Sequence, residues 1–162
     1  MKSIFVFLLL NFVCFNVHGQ AEKKINYELG SNGRRYIISF NSEKPISTDA
    51  RRVIGRFLDE QWLNNTYYSI VEQSISVEKL SKLIGNGGHV DISFSITGKV
   101  LKIRMYIPKE NLDVLDECDL YTLYSNLQKF DMDMSKIRIE YPPNWQRGAE
   151  AFWGFTFPLK RR

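Results

Sequence analysis

The chain has 162 residues, of which 44% are hydrophobic and 14% aromatic, so it is long enough for one domain with a single core. Its formal net charge is +4, but the basic residues occur as separate doublets such as Arg34-Arg35 and Arg51-Arg52. Because a nucleic-acid-binding surface needs clustered basic residues, we expect no nucleic-acid partner.

The first nineteen residues have the layout of a secretory signal peptide. Lys2 gives a positive start, residues 4–15 are almost wholly apolar, and small or modest residues precede a cut before Gln20. The apolar run is shorter than the ~20 residues that span a bilayer, which disfavours a retained anchor. We therefore expect a cleaved signal peptide at residues 1–19, followed by a single domain at residues 20–162 that is periplasmic or secreted.

Cleavage removes one of the two cysteines and leaves Cys118, so we expect no internal disulfide in the exported domain. Lipid attachment at Cys14 is an alternative fate of the leader. The residues before Cys14 do not match a lipobox, which has a Leu-like residue at −3 and a small one at −1, and we reject this alternative. Nothing after residue 19 approaches the length of a transmembrane helix, so we expect no stable membrane insertion after cleavage.

The first predicted elements of the domain are a hairpin and a helix. Residues 27–29 and 35–40 flank a turn-rich tetrad at residues 30–33, which indicates a short β-hairpin. From Asp49, apolar side chains recur at helical spacing and predict a helix. These apolar positions are Val53, Ile54, Phe57, Leu58 and Trp62.

Two positions are suited to cap helices. Ser47 or Thr48 is available as the N-cap of the first helix, and Ser76 can cap a short helix over residues 77–84. The sequence leaves residues 64–76 ambiguous between strand and helix.

The clearest pattern lies between residues 90 and 107, where apolar and polar residues alternate on both sides of Gly98-Lys99. If these two residues form the loop, Val90 faces Ile107 and Phe94 faces Ile103, so the apolar side chains share one face. Glycine at the first loop position suits a type II′ turn. We therefore predict a half-buried antiparallel hairpin.

A second main helix and two strands complete the predicted fold. Acidic residues from Asp116 to Asp119 mark the start of the helix, because negative charge there complements the helix dipole. Residues 137–141 and 153–159 alternate as strands. The expected fold class is α+β, with an antiparallel sheet packed by two main helices in a two-layer sandwich.

Residue types that carry catalysis or bind metals are scarce in the sequence. His89 and Cys118 are the only histidine and cysteine after cleavage, and a loop histidine and a small core cysteine explain them better than a catalytic pair. Residues 131–135 have the opening spacing of an EF-hand loop, but Lys136 and Pro142 stand where it needs Gly and Glu. We expect no catalytic residue, no metal site and no cofactor.

The loop between the last two strands is the candidate binding site. Tyr141, Trp145 and Arg147 lie in or beside a segment stiffened by Pro142-Pro143. Trp and Arg are enriched at binding hot spots, and a rigid loop loses little entropy when a partner orders it. The alternative is that Trp145 folds back and closes the end of the core.

The order of helix, hairpin, helix and closing aromatic strand over roughly residues 47–159 resembles the C-terminal domain of TonB-type periplasmic proteins. The segments that carry the resemblance are the hairpin turning at Gly98-Lys99, the helix end Leu127-Gln128-Lys129-Phe130 and the aromatic strand around Phe155 and Phe157. The chain has Asp131 where the family has Pro after the helix Phe, and it has neither a Pro-rich arm nor a membrane anchor that stays. The resemblance therefore implies a fold and a protein-binding habit, and not energy transduction.

The favoured interpretation is a non-catalytic protein-binding module whose partner is another envelope or extracellular protein. The alternatives are a small secreted hydrolase and a carbohydrate- or small-ligand-binding protein, because acid/base carboxylates are recognised by their environment rather than by sequence.

We predict that the exported chain is cut near Gly19 and Gln20, because this position follows the apolar run at the spacing that signal peptidases use. Intact-mass measurement of the exported protein checks this. A mass that retains residues 1–19, or one that carries a lipid adduct, would contradict it.

Overall fold

The computed structural model describes residues 25–31, 33–40, 46–145 and 150–161. The predicted signal peptide and Arg147 lie outside the described residues. Within these ranges the chain has three α-helices: α1 (Glu60–Ser74), α2 (Val77–Lys82) and α3 (Glu117–Gln128). Its strands are β1 (Ile25–Leu29), β2 (Arg35–Phe40), β3 (Arg51–Arg52), β4 (Ile54–Phe57), β5 (His89–Ser95), β6 (Val100–Pro108), β7 (Ile137–Glu140) and β8 (Ala151–Pro158).

Six of these strands form one sheet in the order β1-β2-β6-β5-β8-β3, and β4 pairs with β7 in a second, two-stranded sheet. The α+β class is confirmed. The large sheet is mixed rather than wholly antiparallel, because β3 runs parallel to β8. The parallel pair lies at the edge of the sheet, where Arg51 pairs with Ala151 and Arg52 pairs with Phe152.

Away from its loop the hairpin of β5 and β6 has the predicted buried face, but Ile96 beside the loop is 40% exposed and the register of the strands is different. Val90 opposes Met105 and Ile92 opposes Ile103, two residues away from the expected pairs. The loop has three residues instead of two, because the Gly98 amide donates to the Ser95 carbonyl at 3.0 Å and the Ser95 amide to Lys99 at 2.8 Å. Gly98 adopts a φ of 87°, as the last residue of such a loop requires.

The helix predicted from Asp49 is wrong, because residues 51–57 form β3 and β4. Val53 is buried and Phe57 half-buried, and both pack on the core, as an alternating strand requires, whereas Ile54 and Leu58 are exposed. Gly55 occupies the core-facing position between them. Because glycine has no apolar side chain, the two-residue period of the strand is not visible in the sequence. The remaining apolar residues then recur at a spacing that is typical of a helix.

The helices begin at side-chain caps. Asp59, and not Ser47 or Thr48, caps α1 by accepting from the Trp62 amide at 2.9 Å. Helix α1 also covers most of the ambiguous segment, and Ser76 caps α2 as predicted. Asp116 caps α3 in a reciprocal capping box with Asp119, which confirms the acidic start expected for that helix.

Helices α1 and α3 pack on the same face of the six-stranded sheet. Tyr67 of α1 stacks on Phe157 of β8 with ring centroids 4.1 Å apart, and Tyr124 of α3 stacks on Phe40 of β2 at 3.8 Å. The two helices also contact each other, because the Asn126 amide donates to the Ser74 hydroxyl at 3.0 Å. The core therefore lies between one helical layer and one face of the sheet.

We predict that Phe94→Ala or Ile103→Ala lowers the free energy of unfolding by about 2–5 kcal/mol, because both side chains are fully buried on the core face of the hairpin. Ser93→Ala, on the opposite face, is the matched control and is expected to cost no more than about 0.5 kcal/mol. Denaturant unfolding measures the three changes, and equal losses at the three positions would contradict the assignment of faces.

Candidate functional site

The predicted binding loop begins directly after β7. Tyr141 is 46% exposed, and its ring centroid lies 5.0 Å from that of Trp145 at an interplanar angle of 46°. The Trp145 amide donates to the Pro142 carbonyl at 3.0 Å, which closes a tight turn over residues 142–145. The structure thus brings two of the three predicted site residues together, while Arg147 lies outside the described residues.

Trp145 has two different environments on its two sides. The indole is half-buried and packs against the core, and it also contacts the exposed ring of Tyr141. The Arg51 guanidinium, from β3, reaches the Asn144 carbonyl at 3.5 Å and ties the loop to the sheet. The turn over residues 142–145 therefore places the aromatic pair beside the core, with Tyr141 exposed to solvent.

A second candidate site lies on the outer face of the six-stranded sheet, which we define as the side chains that point away from α1 and α3. Because side chains alternate along a strand, this face carries the residues between the buried ones. It is polar and contains His89, Asp91, Ser93, Lys102, Arg104, Tyr106, Phe152 and Thr156.

A shallow groove of about 150 Å³ crosses the outer face above Gly154. Arg52, Asp91, Ser93 and Thr156 lie around it, and Phe152 adds an aromatic ring. The Thr156 hydroxyl donates to Asp91 Oδ1 at 2.5 Å, which fixes the orientation of the carboxylate. We call this feature the Gly154 groove.

Only glycine fits at the centre of the groove. A Cβ on Gly154 would lie 2.4 Å from the Ile92 carbonyl oxygen of the neighbouring strand. The missing side chain therefore both permits close strand pairing and opens the outer face at this point. A glycine inside an alternating aromatic strand is the one sequence signal that indicates such a site. The residues that line the groove come from three segments that are distant in the sequence.

His89 lies at one end of the outer face, where its ring stacks on Tyr106 with centroids 4.6 Å apart. Partial burial lowers the pKa of His89 below its ordinary 6.5; the nearby Asp91 charge opposes this, and Arg35 adds to it. Cys118 begins α3 on the other side of the sheet, so the structure separates the two residues that a catalytic pair would require together.

Three cavities around the described residues each hold a single carboxylate side chain. One of about 190 Å³ contains Glu72, one of about 230 Å³ contains Glu60, and the Gly154 groove contains Asp91. Glycosidase-type hydrolysis uses two carboxylates that face one substrate.

Asp133, in the EF-hand-like segment, caps the short 3₁₀ turn Met134–Lys136 by accepting from the Ser135 amide at 3.0 Å.

The environment of His89 gives a prediction about pH. An NMR titration is expected to give a His89 midpoint below 6.5, with Arg35→Gln raising the midpoint and Asp91→Asn lowering it. Because the folded pKa is depressed, the stabilising contribution of neutral His89 is present above pH 6.5 and is lost as the pH falls through the folded pKa. A midpoint at or above 6.5, or shifts of the opposite sign, would contradict this electrostatic description.

Comparison with known proteins adds no assignment to these two sites. Among the described residues, no helix has the length and apolarity needed to cross a membrane, and no group of three or more His, Cys, Asp or Glu side chains is placed to hold a metal ion. No family model, no curated protein and no solved structure matches the chain.

Proposed function

We propose that this chain is an exported, non-catalytic protein-binding module, and that Tyr141, Trp145 and Arg147 form part of its partner surface. The observation that carries the proposal is the aromatic pair at the end of β7, where an exposed tyrosine ring rests against a half-buried tryptophan. In this proposal the module works in the periplasm or outside the cell, after removal of residues 1–19.

The geometry of the pair suits protein recognition. Trp145 is anchored by the core on one side, so its rotamer freedom is already reduced before a partner arrives. Tyr141 offers a large apolar ring and a hydroxyl at the surface, a combination that is enriched at interface hot spots. Arg147 follows two residues later in the chain and adds a residue type that is enriched at hot spots.

The arrangement of elements supports a TonB C-terminal-like fold as the finer form of this proposal. The first helix begins at Glu60 instead of near Asp49, but the order of helix, β5–β6 hairpin, helix α3 and strand β8 is kept, with α2 and β7 between them. In the sheet, β8 pairs directly with β5, so the closing aromatic strand completes the layer that the hairpin begins. A protein-binding habit is what this resemblance implies for the chain.

An edge strand gives the proposal independent support. Within the described residues β1 pairs with β2 alone and forms one edge of the six-stranded sheet. Tyr27 and Leu29 of this strand are exposed. Such an edge can accept an extended peptide as an additional strand, with backbone hydrogen bonds supplying the affinity.

The proposal predicts a partner whose capture depends on the loop. The purified exported protein is immobilised and incubated with envelope fractions of cells that express it, and retained proteins are identified by mass spectrometry. Trp145→Ala combined with Arg147→Ala is expected to reduce retention of the partner about tenfold or more, as the loss of two hot-spot side chains does.

A matched control separates this effect from unfolding and from loss of charge. Leu58→Ala combined with Lys109→Ala removes one exposed apolar and one exposed basic side chain outside the loop, and it is expected to leave retention unchanged. Thermal unfolding of the control should match that of the parent, and the variant that lacks Trp145 should unfold only slightly earlier, because the indole is half-buried. If Trp145→Ala alone lowers stability by about 3 kcal/mol or more, the tryptophan closes the core and the partner surface lies elsewhere.

A further inference from the structure

The outer face of the sheet combines positive charge with groups that recognise hydroxyls. Arg52 is exposed at the Gly154 groove, and Lys102 and Arg104 lie on β6, on the same face. Strands β6 and β3 are separated by β5 and β8, so these cations are spread over about 14 Å across the sheet. A ligand that contacts all of them must be longer than a single small molecule.

The groove itself offers three kinds of contact. The Arg52 guanidinium presents paired N–H donors that match a carboxylate. Asp91, held by Thr156, retains acceptor capacity for a ligand hydroxyl, and the Ser93 hydroxyl can donate or accept. Phe152 provides an apolar surface for C–H groups. A carboxylate, several hydroxyls and an apolar ring face occur together in a sugar acid.

We propose that the outer face binds an acidic polysaccharide, with one uronate residue in the Gly154 groove and further carboxylates of the same chain on Lys102 and Arg104. This site is separate from the loop of Tyr141 and Trp145, and the proposal goes beyond the protein-binding function.

Two observations favour a polysaccharide over an acidic peptide. Strand β5, which carries Asp91 and Ser93, pairs with β6 over residues 89–94 and with β8 over residues 89–95, so its backbone groups are used within the sheet and it offers side chains alone. An extended peptide that adds to a sheet gains its affinity from free backbone groups at an edge, which β5 lacks. Asp91 repels the carboxylates of any acidic ligand, and the hydroxyls of each sugar unit offer it more hydrogen-bond donors than the single backbone N–H of a peptide residue does.

The experiment measures binding of the purified exported protein to polygalacturonate by biolayer interferometry at low and moderate salt. Dextran serves as the neutral polysaccharide and poly-glutamate as the acidic peptide. We expect binding to polygalacturonate that weakens with salt, and much weaker binding to the other two. Equal or tighter binding of dextran or poly-glutamate would overturn the proposal, as would no binding of polygalacturonate.

Charge-matched variants locate the site. Arg52→Gln combined with Lys102→Gln is expected to weaken polygalacturonate binding about tenfold. Arg138→Gln combined with Lys109→Gln removes the same charge from exposed positions outside the outer face and is expected to leave binding within about twofold. Equal losses in the two double variants would show a diffuse charge effect and overturn the assigned site.

Asp91→Ala, which removes the carboxylate together with its acceptor oxygens, distinguishes recognition of hydroxyls from simple attraction of anions. If the carboxylate accepts hydrogen bonds from sugar hydroxyls, the variant binds polygalacturonate about tenfold more weakly. If the face attracts any polyanion, removing the negative charge makes binding tighter, and the proposal fails. Thermal unfolding checks that each variant keeps the parent fold.

Discussion

The structure depends on the packing of one tryptophan where its two sheets meet. Trp153 of β8 is fully buried, and its ring stacks on Phe94 of β5 at 5.1 Å between centroids. Its indole Nε1 donates to the Ser95 carbonyl at 2.8 Å, which satisfies the polar atom in the core. Strand β4 crosses the same ring at Gly55, where any Cβ would come within 2.3 Å of the indole. The hairpin, the last strand and the small sheet thus meet at a single side chain.

Part of the fold could be predicted from sequence and part could not, because burial leaves a local pattern in the sequence whereas strand register and close tertiary contacts do not. Burial decides which alternate residues of a strand face the core, so the pattern over residues 90–94 and 103–107 predicted the inner face correctly. The register depends on loop length, which the alternating pattern does not determine. Leu101 is an extra residue in β6, and the Ser95 hydroxyl helps to set the longer loop by accepting from the Lys99 amide. Gly55 faces the core for a tertiary reason, and no local pattern around it reveals a strand.

The two candidate sites differ in how far sequence reasoning reaches. Tyr141 and Trp145 are four residues apart, so their contact follows from a short proline-containing turn that a local pattern can indicate. The Gly154 groove joins Arg52, Asp91 and Thr156, which meet only because β8 pairs with both β5 and β3. Sequence alone gives no information on those pairings, and the error over β3 placed Arg52 on a helix. Sites that are built across a sheet become visible only with its strand order.

The position of β8 in the sheet also constrains when the domain can fold. This strand comes last in the chain, yet it lies between β5 and β3 and carries the tryptophan around which the core packs. Neither sheet can acquire its final packing until residues 151–158 have left the ribosome, and the pairings that complete the fold have large sequence separations. Long-range pairing of this kind is slow compared with local helix formation. Under the export proposed above, this delay keeps the stable core from forming before residues 151–158 have been synthesised.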